Sequence, residues 1–259
     1  MSRAKVLAIL SAASKRRFMD IGESNRNLAD MELVRSRASE PPTVAAVSSA
    51  MQPPLGDQDA LDVAWAAFHE VVSQLPLDAM QNYRPVLETL SAAEPIEAGA
   101  APSNLVGAAP LRQESKHLLR FMDDPAAVWV PSDKADSIGA RSLQERVSTA
   151  EQMRPHVPAL LDWLADANWP PFPGCRRQLA RFPEEAVEPI RALFAKQRGD
   201  GAWLLNVLEF VTECVPAGPL WEGLRVEVQA MVDEPQGDED DCELSDCARR
   251  WLAVLDARA

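Results

Sequence analysis

The strongest constraint on what this chain can fold into is a succession of apolar stripes at helical spacing, each ended by a proline-marked break. Val6, Ile9, Leu10 and Ala13 lie at i, i+3, i+4 and i+7, and Leu28, Met31 and Val34 suggest a second helix. Leu61, Ala64, Trp65, Phe68, Val72 and Leu75 share one face, with Asp57 or Asp59 available as a cap and Pro76 ending the run. Further on come Val157, Leu160, Leu161 and Leu164, then Val187, Ile190 and Phe194 after Pro183-Glu184-Glu185. Early proline followed by carboxylates suits a helix N-terminus. Leu220, Leu224, Val228 and Met231, and then Leu244, Cys247, Trp251, Leu252 and Leu255, complete the series. Pro occurs 21 times and Gly only 11, and no stretch alternates apolar with polar as a strand does. The expected fold is all-α, with antiparallel helical hairpins stacked in a HEAT-like bundle behind a less ordered helical N-terminal region.

The breaks divide the chain. Residues 1–40 read as a basic helical N-terminal segment. Residues 41–58, opening on Pro41-Pro42 and closing near Pro53-Pro54, read as a linker. A small helical hairpin follows over 59–90. Residues 91–112 are Ala, Pro, Gly and Ser with few large side chains, a composition that buries too little apolar surface to order itself and so reads as a flexible linker. Residues 113–259 form a C-terminal all-helical domain.

Net charge is −13, from 26 basic and 39 acidic residues. It is divided as +4 over residues 1–37, −8 over 38–129 and −9 over 130–259. Such a chain is ill suited to grip nucleic acid directly, because that affinity comes from cations neutralising phosphates. No apolar run approaches the roughly 20 residues of a membrane span. Arg3 and Lys5 ahead of Val6–Leu10 look like the start of an export signal, but the run is short and Lys15-Arg16-Arg17 follow it. Cys175, Cys214, Cys242 and Cys247 show no CxxC pairing and no nearby histidine, which fits reduced thiols in a cytoplasmic protein.

The most distinctive stretch is Leu160-Leu161-Asp162-Trp163-Leu164-Ala165-Asp166-Ala167-Asn168-Trp169-Pro170. With Val130-Pro131-Ser132-Asp133-Lys134 before it, and Phe182-Pro183-Glu184-Glu185 and Pro189-Ile190 after it, it resembles the bacterial family known as domain of unknown function 5071, a compact helical module related to HEAT repeats. The resemblance covers about residues 130–252, brings no catalytic residues, and departs from the family pattern in the Pro-rich insert 171–175. Trp163, Asp166, Asn168, Trp169 and Pro170 read as a structural signature. Asn168 would end a helix in the left-handed region, Pro170 would forbid its continuation, and the two indoles would wedge the outgoing chain against neighbouring helices.

No catalytic or metal-binding constellation emerges, and no cofactor is implied. His69, His117 and His156 are scattered, and no HExxH, GxSxG or Gly-rich phosphate loop is present. The run Asp238-Glu239-Asp240-Asp241 is the sharpest electrostatic feature; it lacks the spacing of a calcium loop. It reads either as a solvated spacer between two helices or as a patch that steers a basic protein surface onto this one. The leading expectation is a non-enzymatic protein-interaction module of bacterial type, of the immunity or antitoxin-like kind, with no membrane span. The alternative is a small-molecule-binding or enzymatic helical domain. In it the polar line Asn206, Glu209 and Glu213 on the otherwise apolar helix 203–214 would face a cleft with Arg176, Arg177 or Arg181.

Overall fold

A computed structural model describes residues 1–15, 21–93 and 108–258. Among these the fold is all-α: every regular element is a helix or a 3-10 turn, and no strand is formed. Among the described residues no helix is long and apolar enough to cross a membrane. The chain divides into two units, Met1–Ala127 and Val128–Ala259.

The first unit comprises α1 (Arg3–Ser14), α2 (Ile21–Ser36), α3 (Pro41–Met51), α4 (Gln58–Glu70), α5 (Leu77–Met80), α6 (Arg84–Ala92) and α7 (Ala108–Asp123). The stripe Val6, Ile9, Leu10, Ala13 is buried, and α1 packs on α3 and α4. Residues 41–51, expected to be linker, are instead a helix that buries Thr43, Ala46, Val47 and Met51. The prolines that read as a terminator stand in its first turn, where their missing N–H has no intrahelical partner to lose and their fixed φ suits the helix. Asp57 caps α4 by accepting the Ala60 N–H at 2.8 Å, as the sequence suggests. On α4, His69 stacks on Trp65 with ring centroids 4.6 Å apart, and burial lowers its pKa to about 4. Most of the expected linker 91–112 lies outside the described residues. Its C-terminal end is already in α7, which belongs to the first unit, so the division falls at Ala127 rather than within 91–112.

The second unit contains α8 (Ser137–Arg146), α9 (Ala150–Met153), α10 (Val157–Asp162), α11 (Phe172–Ala180), α12 (Pro183–Lys196), α13 (Gly201–Cys214), α14 (Pro219–Glu222), α15 (Arg225–Asp233) and α16 (Leu244–Asp256). Its centre is α13, which packs on α11, α12 and α16. Leu204, Val207, Leu208, Phe210 and Val211 are all fully buried, each contributing on the order of 2 kcal/mol by removal from water. Two polar groups tie this helix to its neighbours: Trp203 Nε1 donates to the Leu161 carbonyl at 3.1 Å and Asn206 Nδ2 to that of Leu164 at 3.0 Å. The stripes of α10, α12, α15 and α16 close round it as one core.

Candidate functional site

The acidic run lies in the loop between α15 and α16. Its residues do not share one role. Glu239 is fully buried and clasped by Arg198, whose Nε is 2.8 Å from Oε1 and whose Nη2 is 2.9 Å from Oε2. The backbone N–H groups of Gly199 and Gln236 donate to the same carboxylate at 2.8 and 2.9 Å. Burial alone would raise this carboxyl, but the Arg198 guanidinium and the two N–H groups outweigh it and leave its pKa below the ordinary value. Arg198 continues to the Glu234 carbonyl at 2.6 Å, closing the loop on the turn before α13.

This closure demands glycine. Gly199 and Gly237 have φ of 97° and 53°, and a Cβ on Gly237 would stand 2.3 Å from the Gly199 oxygen. A Cβ on Gly201 would stand 2.8 Å from the Asp238 oxygen. The loop is thus pressed backbone to backbone against the start of α13. There Asp238 accepts the Gly201 N–H at 2.6 Å and Asp200 accepts the Trp203 N–H at 3.1 Å, two carboxylates at the positive end of the helix dipole. Asp240 holds the Ser245 hydroxyl at 2.6 Å. Of the four acidic residues expected to meet a partner, Glu239 is therefore corrected to an internal anchor. Asp238, Asp240 and Asp241 remain exposed. On α16, Asp246 pairs Arg249.

The signature turn is structural in detail. Trp163 Nε1 donates to the Pro131 carbonyl at 2.9 Å, and its ring meets Trp169 edge-on at 5.5 Å. Lys134 Nζ lies 4.5 Å from the Trp169 ring centre, so the stretch 130–134 and the turn hold each other. Asp166 Oδ1 accepts both the Asn168 backbone N–H, at 2.8 Å, and the Asn168 Nδ2, at 3.0 Å. Asn168 is not left-handed: Glu243 is the non-glycine residue with positive φ among the described residues. The helix end is made by an Asp166-led turn, after which Trp169, Pro170 and Pro171 lead directly into α11. Nearby, Asp136 caps α8 through the Gly139 N–H and gathers Trp129 Nε1 and the Ser132 N–H. Sequence reasoning passed over this hub because its members look like ordinary loop residues.

The polar line of α13 is divided among three surroundings. Asn206 is tied to a carbonyl, Glu213 pairs with Arg176 at 2.7 Å, and Glu209 is exposed. Arg181 turns away to the carbonyls of Leu143 and Val147 at the end of α8. A concavity of about 370 Å³ instead opens beside the C-terminal ends of α13 and α16, lined by Thr212, Val215, Ala217, Trp221, Cys247, Arg250, Trp251, Val254 and Arg258. Behind it Trp221 stacks on Trp251 at 4.7 Å and 16°, both indoles buried in the core. Trp221 Nε1 donates to the Val215 carbonyl, whereas the buried Trp251 Nε1 has no partner among the described residues. Arg250 and Val254 lie on the outward side of α16, and Arg258 in the turn that follows it.

No curated protein and no solved structure matches this chain. Residues 129–252, within the second unit, match the model of the family described as "Domain of unknown function (DUF5071)".

Proposed function

We propose that the chain is a non-enzymatic protein-interaction module, and that the acidic loop between α15 and α16 is its docking surface for a basic protein. The observation that carries this reading is that Asp238, Asp240 and Asp241 are exposed on a loop whose backbone is held from within by the Arg198–Glu239 pair. A surface ordered before encounter pays little conformational entropy on binding. Clustered carboxylates raise the rate of encounter with a cationic partner. An immunity or antitoxin-like inhibitor in a bacterial cytoplasm, built from stacked HEAT-like hairpins, fits this reading. The four cysteines, all unbridged, suit such a reducing compartment.

The test is association with the product of the adjacent gene or with a protein captured from the host, measured as a function of salt. Reversing Asp240 and Asp241 to lysine is expected to slow association by about tenfold at low salt and to flatten its salt dependence. Unchanged association rates would overturn the docking role of the loop.

A further inference from the structure

The first helix of the first unit has a face that neither its core nor the acidic loop accounts for. Helix α1 turns Val6, Ile9, Leu10 and Ala13 inward and leaves Arg3, Ala4, Lys5 and Ala8 exposed, with Lys15 exposed at its C-cap. We infer that this face is a docking surface for an anionic phospholipid bilayer. Residues 1–19 hold five basic residues and no carboxylate, whereas the rest of the chain holds 21 basic against 39 acidic ones. The side chains of Arg3, Lys5 and Lys15 have no partner among the described residues, and Glu40 is taken by the Met1 amine at 3.3 Å. Arg3 and Lys5 stand in the first turn of α1, where no carboxylate is present and where the positive end of the dipole opposes cations. Their charge thus adds nothing to the folding of α1 and is left for an external anion.

The other side chains of this face narrow the partner. Ala4 and Ala8, with half-buried Ser11 and Ala12 beside them, are too small to anchor in the pocket of a protein partner. They let the helix lie flat along a surface. The strongly acidic remainder of the chain is ill suited to following the dense phosphates of a nucleic acid. Arg3, Lys5 and Lys15 are spread along about 18 Å of helix, which suits a plane of headgroups rather than one compact anion. Attraction to such a plane falls off within a Debye length of about 8–10 Å, so carboxylates beyond that distance oppose it only weakly. Because the apolar stripe of α1 is committed to the core, the contact is electrostatic and superficial, without burial of the helix among acyl chains.

The experiment is flotation of the full-length chain at about 50 mM salt with vesicles of phosphatidylcholine alone or with about 40% phosphatidylglycerol. Binding to the anionic vesicles is expected, at least about tenfold stronger than to the neutral ones and released by about 0.5 M salt. Arg3→Gln with Lys5→Gln and Lys15→Gln should weaken it by at least about tenfold while leaving the unfolding midpoint unchanged, because all three side chains are exposed. Removing as many exposed cations from the second unit, Lys196→Gln with Arg250→Gln and Arg258→Gln, should leave binding unchanged. Equal flotation with neutral vesicles, equal binding by the α1 variant, an equal loss in the second-unit variant, or tighter binding to duplex DNA at the same phosphate concentration would each overturn the assignment.

Discussion

The two units bury a titratable side chain in opposite ways. In the first, His69 lies against the Trp65 face and is held neutral, its pKa depressed to about 4 by loss of water. In the second, Glu239 is buried as an anion, and an arginine with two backbone N–H groups replaces its water. The first solution needs only an apolar neighbour. The second needs partners from a turn about 40 residues away in the chain, and therefore fixes one loop against another. The histidine tells little about the architecture around it, whereas the glutamate ties two segments that the chain order keeps apart.

The largest expected effect tests that tie. Glu239→Ala leaves Arg198 and two N–H groups without their acceptor, and should destabilise the second unit by about 3–5 kcal/mol. Urea unfolding followed by probes specific to each unit should show the loss in the second unit alone. Replacing both members, Arg198→Met with Glu239→Met, should recover part of the loss but not all of it, since the Gly199 and Gln236 N–H groups stay unmet. Full recovery would mean that the backbone bonds contribute nothing.

Gly237→Ala comes next. It places a methyl 2.3 Å from the Gly199 oxygen at a φ of 53°, and about 2 kcal/mol or more of destabilisation is expected from strain and forced separation. If the loop tolerates the change with no shift in midpoint, its contact with the 197–201 turn is not what orders it.

Acidification separates the two solutions by pH window. His69 has a folded pKa below its unfolded value, so its contribution is complete above pH 6.5 and is lost as pH falls toward about 4. For Glu239 the folded pKa is likewise lowered, from 4.5, so its contribution persists through that range and is lost only at more acid pH. The first unit should therefore weaken first, by roughly 2 kcal/mol after allowance for partial solvation. His69→Phe should remove this decline between pH 6.5 and 4 while leaving the second unit's acid transition in place.

The helices were largely legible because burial imposes a period on the sequence: the stripes of α1, α4, α13 and α16 are the faces that the core takes up. What escaped was the meaning of proline and of charge. Pro41-Pro42 reads equally as an end or a start, and only packing of Ala46 and Val47 decides that α3 forms. Asn168 was expected in the left-handed region on residue preference, but an oxygen of Asp166 two residues earlier offered its amide a turn instead. Glu239 looked like its acidic neighbours because nothing local distinguishes a buried carboxylate; its identity lies in Arg198 and in the glycines that let the two backbones touch. The hollow escaped for the converse reason, since Arg250 on an exposed helix face and Arg258 in the turn after it resemble any solubilising charge.

The smallest effect on stability is expected where the charge is left facing water, and it bears most directly on function. Asp241 is exposed and makes no hydrogen bond or ion pair among the described residues. Asp241→Lys should change stability by less than about 0.5 kcal/mol, with its sign favourable if like-charge repulsion within the loop matters. Glu239→Ala, two residues away, should instead lower stability and loosen the loop. If Asp241→Lys slows association with a basic partner while leaving the unfolding midpoint in place, the acidic run divides into an anchor and a steering surface, carried by different residues of the same four. If both substitutions act on stability alone, the whole run is scaffold, and a cationic partner has to be sought on another face.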